Sequence, residues 1–301
     1  MALLAVGSVA FDSIRTPYGQ VEAIPGGSAT YFSVTASYFT PVNVVAVVGE
    51  DFGEEHLRIF RGRRIDLQGL EKAQGKTFRW RGEYTGDMNE AQTLETQLNV
   101  FESFAPKIPE AYLSSEFVFL GNIDPVLQLH VRKQLPKARL VACDTMNFWI
   151  KGKSSDLKKT LASVDALVIN EGEARMLSGA DNLRRAAAEI QRLGPRIVIV
   201  KRGEHGACFF EGKSIFFAPA FPLEEVHDPT GAGDSFAGGF MGYLAQQGDL
   251  SEAHLRRALV YGSVMASFAV EKFGLERLLR VEPREIHERF REFKAMTHFD
   301  V

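Results

Sequence analysis

Six short apolar runs, separated by segments with helical patterning, constrain this chain more than any other feature: LLAVGS (3–8), NVVAVVG (43–49), EFVFLG (116–121), RLVACD (139–144), DALVIN (165–170) and RIVIVK (196–201). Several are almost continuous in Val, Ile and Leu, as parallel strands covered on both faces must be. Between and after them, helices are expected at 27–39, 52–64, 127–135, 183–193, 233–247, 252–272 and 283–296. Strand and helix in alternation predict an α/β fold built on a doubly wound, mostly parallel sheet.

Two stretches break the rhythm. They are 12–24 (DSIRTPYGQVEAI) and 77–101 (TFRWRGEYTGDMNEAQTLETQLNVF). The second alternates Thr, Phe, Trp, Tyr and Leu with polar residues, the period of half-exposed strands. The expectation is that both pair into one small antiparallel lid beside the main sheet; two unrelated surface hairpins are the alternative. ACFFEGKSIFF (207–217) reads as a further hairpin turning at Gly212-Lys213. With 301 residues the chain is expected to form a single domain, 1–301, carrying that lid.

A formal net charge of −3, with 45% hydrophobic and 24% charged residues, gives no support for nucleic acid or an anionic membrane as a partner. No apolar run approaches a membrane span. The opening MALLAVGSVAFDSI lacks a basic segment and meets Asp12 early, so it is expected to be a first strand rather than a signal peptide. Cys143 and Cys208 sit in apolar runs and read as buried free thiols of a cytoplasmic protein. The seven histidines show no metal-ligand spacing.

The chemistry concentrates in HDPTGAGDSFAGGF, residues 227–240. Gly231, Ala232 and Gly233 precede an apolar run rich in small residues, which should be a buried helix. First-turn amides have no partner inside a helix, and with the helix dipole they form an anion site that glycines allow a phosphate to approach. Asp234 would repel that phosphate unless it serves as a base. Beside an amide cup, a carboxylate can take the proton of a hydroxyl while the cup holds the phosphoryl oxygens of the group in transfer. A charge or cap at the helix N-terminus is the plainer role for Asp234. Two other phosphate motifs are excluded. GACFFEGKS (206–214) has five residues between its glycines and runs through a strand, so it is no Walker A loop. GAGDSF lacks the third glycine of a dinucleotide fingerprint.

At DPTGAGDSF the sequence resembles the ribokinase-like carbohydrate kinases, also called the phosphofructokinase-B family. The order of GSVAFD, PGG (25–27), NEGE (170–173), VKRGEHGA (200–207), GAGD and a small-residue helix at 257–270 fits that family over nearly the whole chain. The resemblance implies a three-layer fold and ATP-dependent phosphorylation of a hydroxymethyl group on a small sugar or sugar-like acceptor. It makes Asp234 the catalytic base and Gly231, Ala232 and Gly233 the anion hole. Asn170 and Glu173 match a pair that handles magnesium-bound phosphates; the same residues are spaced as a helix capping box. Lys201 and Gly203 fall where the nucleotide meets a strand end, although Lys201 also suits a solvated strand end. Ser263 falls in the helix lining the adenine pocket, where close helix packing explains the small residues Gly262, Ser263 and Ala266 equally well. Asp228 and the Thr230 carbonyl match a monovalent-cation site for potassium, but its other side, AVEKFG (269–274), departs from common versions.

For the acceptor, Asp12 matches a carboxylate that accepts from sugar hydroxyls, and Gly26 and Gly27 match a hinge between sugar and lid; Asp12 would otherwise be a turn residue. Asn122 and Asn147 stand near strand ends facing the acceptor. Tyr31 replaces an Asn common in the family, and Asn147 is followed by Phe148-Trp149 where an Arg is common. The missing Arg argues against a strongly anionic acceptor and keeps a nucleoside kinase open beside a sugar kinase. Arg79 and Arg81 share one face of the lid, either toward substrate or toward solvent. Exposed lid edges favour a homodimer. A non-catalytic sugar or nucleotide sensor is a further alternative that the intact GAGD run disfavours.

Overall fold

The structure, a computed structural model, describes residues 2–86 and 88–298. Met1, Asp87 and residues 299–301 lie outside it; Asp87 belongs to the second of the two excursions, and the others to the ends of the expected domain.

The chain opens with β1 (Leu3–Val6) and a hairpin of β2 (Ala10–Thr16) and β3 (Gly19–Gly26), followed by α1 (Ser28–Ala36) and β4 (Val42–Val48). A single helical turn, α2 (Glu54–Leu57), leads to β5 (Ile65–Lys72) and a second hairpin, β6 (Phe78–Tyr84) and β7 (Ala91–Gln97). Then come β8 (Phe117–Leu120), α3 (Pro125–Gln134), β9 (Leu140–Asp144), α4 (Asn147–Gly152), α5 (Ser154–Leu161) and β10 (Ala166–Asn170). The last third holds α6 (Glu171–Ser178), α7 (Leu183–Arg192), β11 (Ile197–Lys201), β12 (Ala207–Glu211), β13 (Ser214–Ala218), α8 (Ala232–Gln247), α9 (Glu252–Ala269) and α10 (Pro283–Thr297).

Nine strands form one sheet in the order β13-β12-β11-β10-β9-β8-β1-β4-β5. Pairing is parallel from β5 to β11 and antiparallel through the closing β12–β13 hairpin, which turns at Gly212 and Lys213. Alternate residues of β1, an inner strand of the sheet, feed two cores. Leu3 and Ala5 join residues of α1, α8, α9 and α10; Leu4 and Val6 join residues of α3, α5 and α7 on the other face. This is the three-layer arrangement expected of a doubly wound sheet.

The other four strands form a separate sheet, β3-β2-β6-β7. Each hairpin is antiparallel, and the two join through a parallel β2–β6 pair with Ala10 beside Phe78. Thr77 fastens the sheet to the end of β4. Its N–H and Oγ1 donate to Asp51 at 2.7 and 2.6 Å, its Oγ1 accepts from Gly49 N–H, and Arg79 adds an ion pair to Asp51 at 2.9 Å.

Two expectations need correction. The helix at 52–64 shrinks to α2, because GEEHLRIFRGRR offers few apolar residues to bury and no residue of α2 is buried. β5 was not anticipated; its IDLQGLEK is mostly polar because it is the outer edge of the large sheet.

α8 is apolar on all sides and is buried from Ser235 to Ala245. Its glycines allow it to lie unusually close to both neighbours. A β-carbon on Gly238 would stand 2.6 Å from the Phe32 carbonyl of α1, and one on Gly239 would stand 2.7 Å from the Tyr261 carbonyl of α9. The N-terminus of α8 thereby lies close to the carboxyl ends of the parallel strands, with Gly233 beside Lys201 at the end of β11. Among the described residues no helix is long and apolar enough to cross a membrane.

Candidate active site

Three neighbouring parallel strands, β9, β10 and β11, end at Asp144, Asn170 and Lys201. Ligands of open α/β sheets bind at such carboxyl ends. The α8 N-terminus meets them there. Gly231 is the N-cap, in the left-handed region at φ 74. The Ala232 N–H turns back to the Pro229 carbonyl at 3.1 Å, and the Ser235 N–H closes the first turn on Gly231 at 2.8 Å. The N–H groups of Gly233 and Asp234 lie in that first turn, with no helical carbonyl ahead of them. Of the three residues expected to form an anion hole, Gly231 makes the left-handed turn that opens the helix and Ala232 has its amide engaged by Pro229, so the first-turn amides of Gly233 and Asp234 form the cup.

Lys201 Nζ lies against this cup. A β-carbon on Gly233 would stand 2.6 Å from it. Asp144 Oδ2 pairs with Lys201 Nζ at 3.6 Å, an ion pair rather than a hydrogen bond. Burial opposes the Lys201 charge, while Asp144, Glu173 and Asp234 more than restore it, so the ammonium is held above its ordinary range.

Asp234 is pushed up to about 7, first by burial and then by Asp144 and Asp12, against the pull of Lys201. Asp12, only 4% exposed, is also pushed up to about 7 by burial, with Asp228 adding to it and the Gly27 N–H, 3.3 Å from Oδ2, opposing. A β-carbon on Gly26 would collide with the Asp12 carboxylate, and one on Gly27 would stand 2.6 Å from the Ser8 carbonyl. The glycine pair therefore lets β3 turn into α1 directly over Asp12.

Asn170 and Glu173 form the reciprocal capping box. Glu173 N–H donates to Asn170 Oδ1 at 2.8 Å and Asn170 N–H donates to Glu173 Oε2 at 3.0 Å. Glu173 is pushed up to about 7 by burial and by Asp144. Asp228, fully buried, accepts the Thr230 N–H at 2.9 Å and the Gly274 N–H at 2.8 Å, tying the loop before α8 to the turn after α9. Gly203, at φ 55, faces Asn89 from the loop between β6 and β7.

Other expected residues stand apart. Asn122 accepts from Trp149 Nε1 at 2.9 Å, so its carboxamide is directed at α4. Asn147 is exposed at the start of α4. Ser263 is buried in α9, next to Gly262, which rests on the Phe236 carbonyl and ring of α8; this is helix packing. Arg79 and Arg81 are taken by Asp51 and Glu22.

Two residues of the cluster were not anticipated. Asp144 ends a buried strand without any local motif, and Tyr84 reaches from β6 to accept from Thr230 Oγ1 at 3.3 Å. Tyr31, 1% exposed, presents a buried hydroxyl that finds no partner among the described residues. Asp12, Asp228, Tyr84 and Asp234 all act on it. Among the described residues no group of three or more His, Cys, Asp or Glu side chains is placed to hold a metal ion by itself.

Three carboxylates near neutrality, an ammonium and open amides at one helix end are features that α/β proteins use to bind phosphorylated small molecules. Comparison with known proteins narrows the class. A sequence model of the pfkB family carbohydrate kinases matches residues 2–280. The chain is 30% identical to the cytidine kinase of Thermococcus kodakarensis over 83% of this chain and 91% of that protein. It superposes on the Burkholderia thailandensis nucleoside kinase in complex with inosine with a TM-score of 0.79, at 19% identity over 98% of this chain and 99% of that one. An Escherichia coli protein described as a ribokinase II, solved with ATP and Mg²⁺, gives a TM-score of 0.77 at 20% identity over 96% and 99%. The chain therefore belongs to the pfkB family of carbohydrate kinases and is an ATP-dependent phosphotransferase.

Proposed function

We propose that this kinase transfers the γ-phosphoryl group of ATP to the hydroxymethyl group of a small sugar or sugar-like acceptor, with Asp234 as base. The observation that carries the reading is the position of Asp234. It is a carboxylate near neutrality in the first turn of α8, beside open amides and the Lys201 ammonium. A base with that affinity for protons can be ionised at physiological pH and still accept a proton from an alcohol.

Asp12 would accept from acceptor hydroxyls, with Gly26 and Gly27 shaping the wall. The acceptor oxygen gives its proton to Asp234 and forms a bond to the γ-phosphorus. The bond from that phosphorus to the bridging oxygen breaks, and its electron pair leaves with ADP. The Gly233 and Asp234 amides and Lys201 would face the oxygens in transfer. Mg²⁺ arriving with ATP would neutralise phosphate charge. Glu173 and Asn170 are hard oxygen donors suited to it or its water shell, and a carboxylate raised by burial and by the neighbouring Asp144 charge gains from a cation. The small sheet would act as a lid that keeps water from the reaction. Its edge strand β7 is exposed throughout and is where a second copy would pair, which sedimentation velocity tests. Asp228 and the Thr230 carbonyl would face a potassium ion; equal rates in potassium and in a large organic cation would remove it from the reaction. ATP as donor fits a cytoplasmic setting.

A nucleoside acceptor is the second reading, favoured by the 30% identity with a cytidine kinase across most of both chains. A coupled ATP-consumption assay with Mg²⁺ against free sugars, sugar alcohols, sugar phosphates and nucleosides tests both readings. Turnover that collapses in Asp234→Asn supports the base. Full turnover in that variant refutes it, and silence across the panel with ATP binding intact turns the reading toward a sensor.

A further inference from the structure

We infer that Asp144 is a positioning residue for phosphoryl transfer, which holds the Lys201 ammonium at the mouth of the α8 amide cup. The inference rests on the reaction proposed above and adds a residue to it.

A lysine is a long chain with about 2 kcal/mol of rotamer entropy, and it holds one place only when something fixes its end. Here the end is fixed. Lys201 Nζ rests against Gly233 and its carboxylate partner is Asp144, 3.6 Å away. Asp144 is itself buried and hydrogen-bonded. It is 6% exposed, and its Oδ1 accepts the Thr145 N–H at 2.7 Å, which leaves Oδ2 aimed at Lys201. The fold does not need this carboxylate for its own sake. The structural tie at this strand end runs through the Asp144 carbonyl, which accepts from Gln128 Nε2 at 2.8 Å. A buried ion pair is also a poor device for stability, since an apolar pair of similar volume often serves as well or better.

What the pair provides is an ammonium already in place. Charge that spreads over the oxygens of the group in transfer then meets a cation that does not have to move. Burial pushes the Asp144 carboxyl up while Lys201 and the Thr145 N–H pull against it, and Lys201 is held in its charged form; the only proton that moves goes from the acceptor to Asp234. The three carboxyl groups facing Lys201 are Asp144, Glu173 and Asp234, from β9, α6 and α8.

The test compares Asp144→Asn, Lys201→Met, their double variant and Asp234→Asn, each checked for folding by thermal melting. Calorimetry measures binding of Mg·ATP and Mg·ADP, which needs no acceptor; steady-state rates are added with the acceptor that the panel yields. Expected for both single variants at the pair is a loss of about tenfold in ATP affinity, with ADP affinity and acceptor KM within about threefold of wild type. Their kcat should fall about 10²-fold, and the double variant should be no worse than Lys201→Met, because Asp144 acts through Lys201. Unchanged preference for ATP over ADP in Asp144→Asn overturns the inference, as does a further tenfold loss in the double variant. If Asp144→Asn does not fold with its lysine unpaired, Lys201→Met against the double variant decides by the same rule. Asp234→Asn separates the two layers: full turnover there removes the base, while the pair is still judged from ATP against ADP.

Discussion

The ring of Tyr31 lies directly against Gly231, so that a β-carbon on the glycine would fall among the ring atoms. Gly231 also holds φ 74, in the left-handed region that costs an L-residue about 1–2 kcal/mol. Gly231→Ala meets both penalties at once. Overpacking adds about 1–3 kcal/mol, so the melting temperature should fall by roughly 3–8 °C and turnover should drop with it. Differential scanning calorimetry decides; a shift under 2 °C would mean that the loop re-forms freely.

Tyr31→Phe should behave in the opposite way. The hydroxyl is buried without a partner among the described residues, and removing such a group is neutral or stabilises by about 1 kcal/mol. Urea unfolding of the variant measures this. A loss of 1 kcal/mol or more would show that the hydroxyl has a partner when folded.

Activity should depend on pH through Asp234. A base pushed up to about 7 must be ionised to work, so log kcat/KM should rise with unit slope below about pH 7 and level off above it. Asp12 and Glu173 are pushed to the same region, so the midpoint belongs to the cluster rather than to one carboxyl group. A profile flat down to pH 5 would contradict the assignment.

The same carboxyl groups should make the ligand-free enzyme less stable as pH rises. Asp12 and Asp234 have an ordinary value of 3.8 when unfolded and about 7 when folded. Between those values the folded chain binds more protons, so stability is greatest below the unfolded value and is lost as pH climbs through the folded one. Asp234→Asn removes one such group. Its melting temperature should exceed that of wild type by a few degrees at pH 8, and the difference should vanish near pH 4. A variant less stable than wild type at pH 8 would reverse the sign of the argument.

Asp51→Ala should loosen the small sheet without unfolding the large one. The Asp51 carboxylate gathers Thr77 and Arg79, whose bonds hold its pKa below the ordinary range against the effect of burial. Hydrogen exchange over 78–97 should speed up about tenfold while β8 to β11 stay protected. Unchanged exchange over 78–97 would place the anchor elsewhere.

The buried strands were legible because each is an unbroken apolar run, and α8 because its run of small and apolar residues follows a glycine turn. β5 escaped because an edge strand alternates with solvent and its eight residues carry little apolar signal. Asn170 and Glu173 were visible as a capping box because their partners lie within one turn. Asp144 was not visible, since its meaning depends on Lys201, two strands away in the sheet. Tyr84 was hidden for the same reason, because only the paired hairpins bring it to Thr230. Asn147, read from its motif, lies exposed at a helix start because α4 begins there and turns its apolar Ile150 inward instead.

The parallel pairing of β2 with β6 makes the small sheet depend on distant parts of the chain. The chain between Ala10 and Phe78 carries α1, β4 and β5, so closing that loop costs entropy before the pair rewards it. Two adjacent hairpins could have zipped from their turns; these are joined only by a contact that is distant in sequence. The wall over Asp12 thus rests on a contact between distant parts of the chain, and its two hairpins take their relative placement from the α1, β4 and β5 that lie between them.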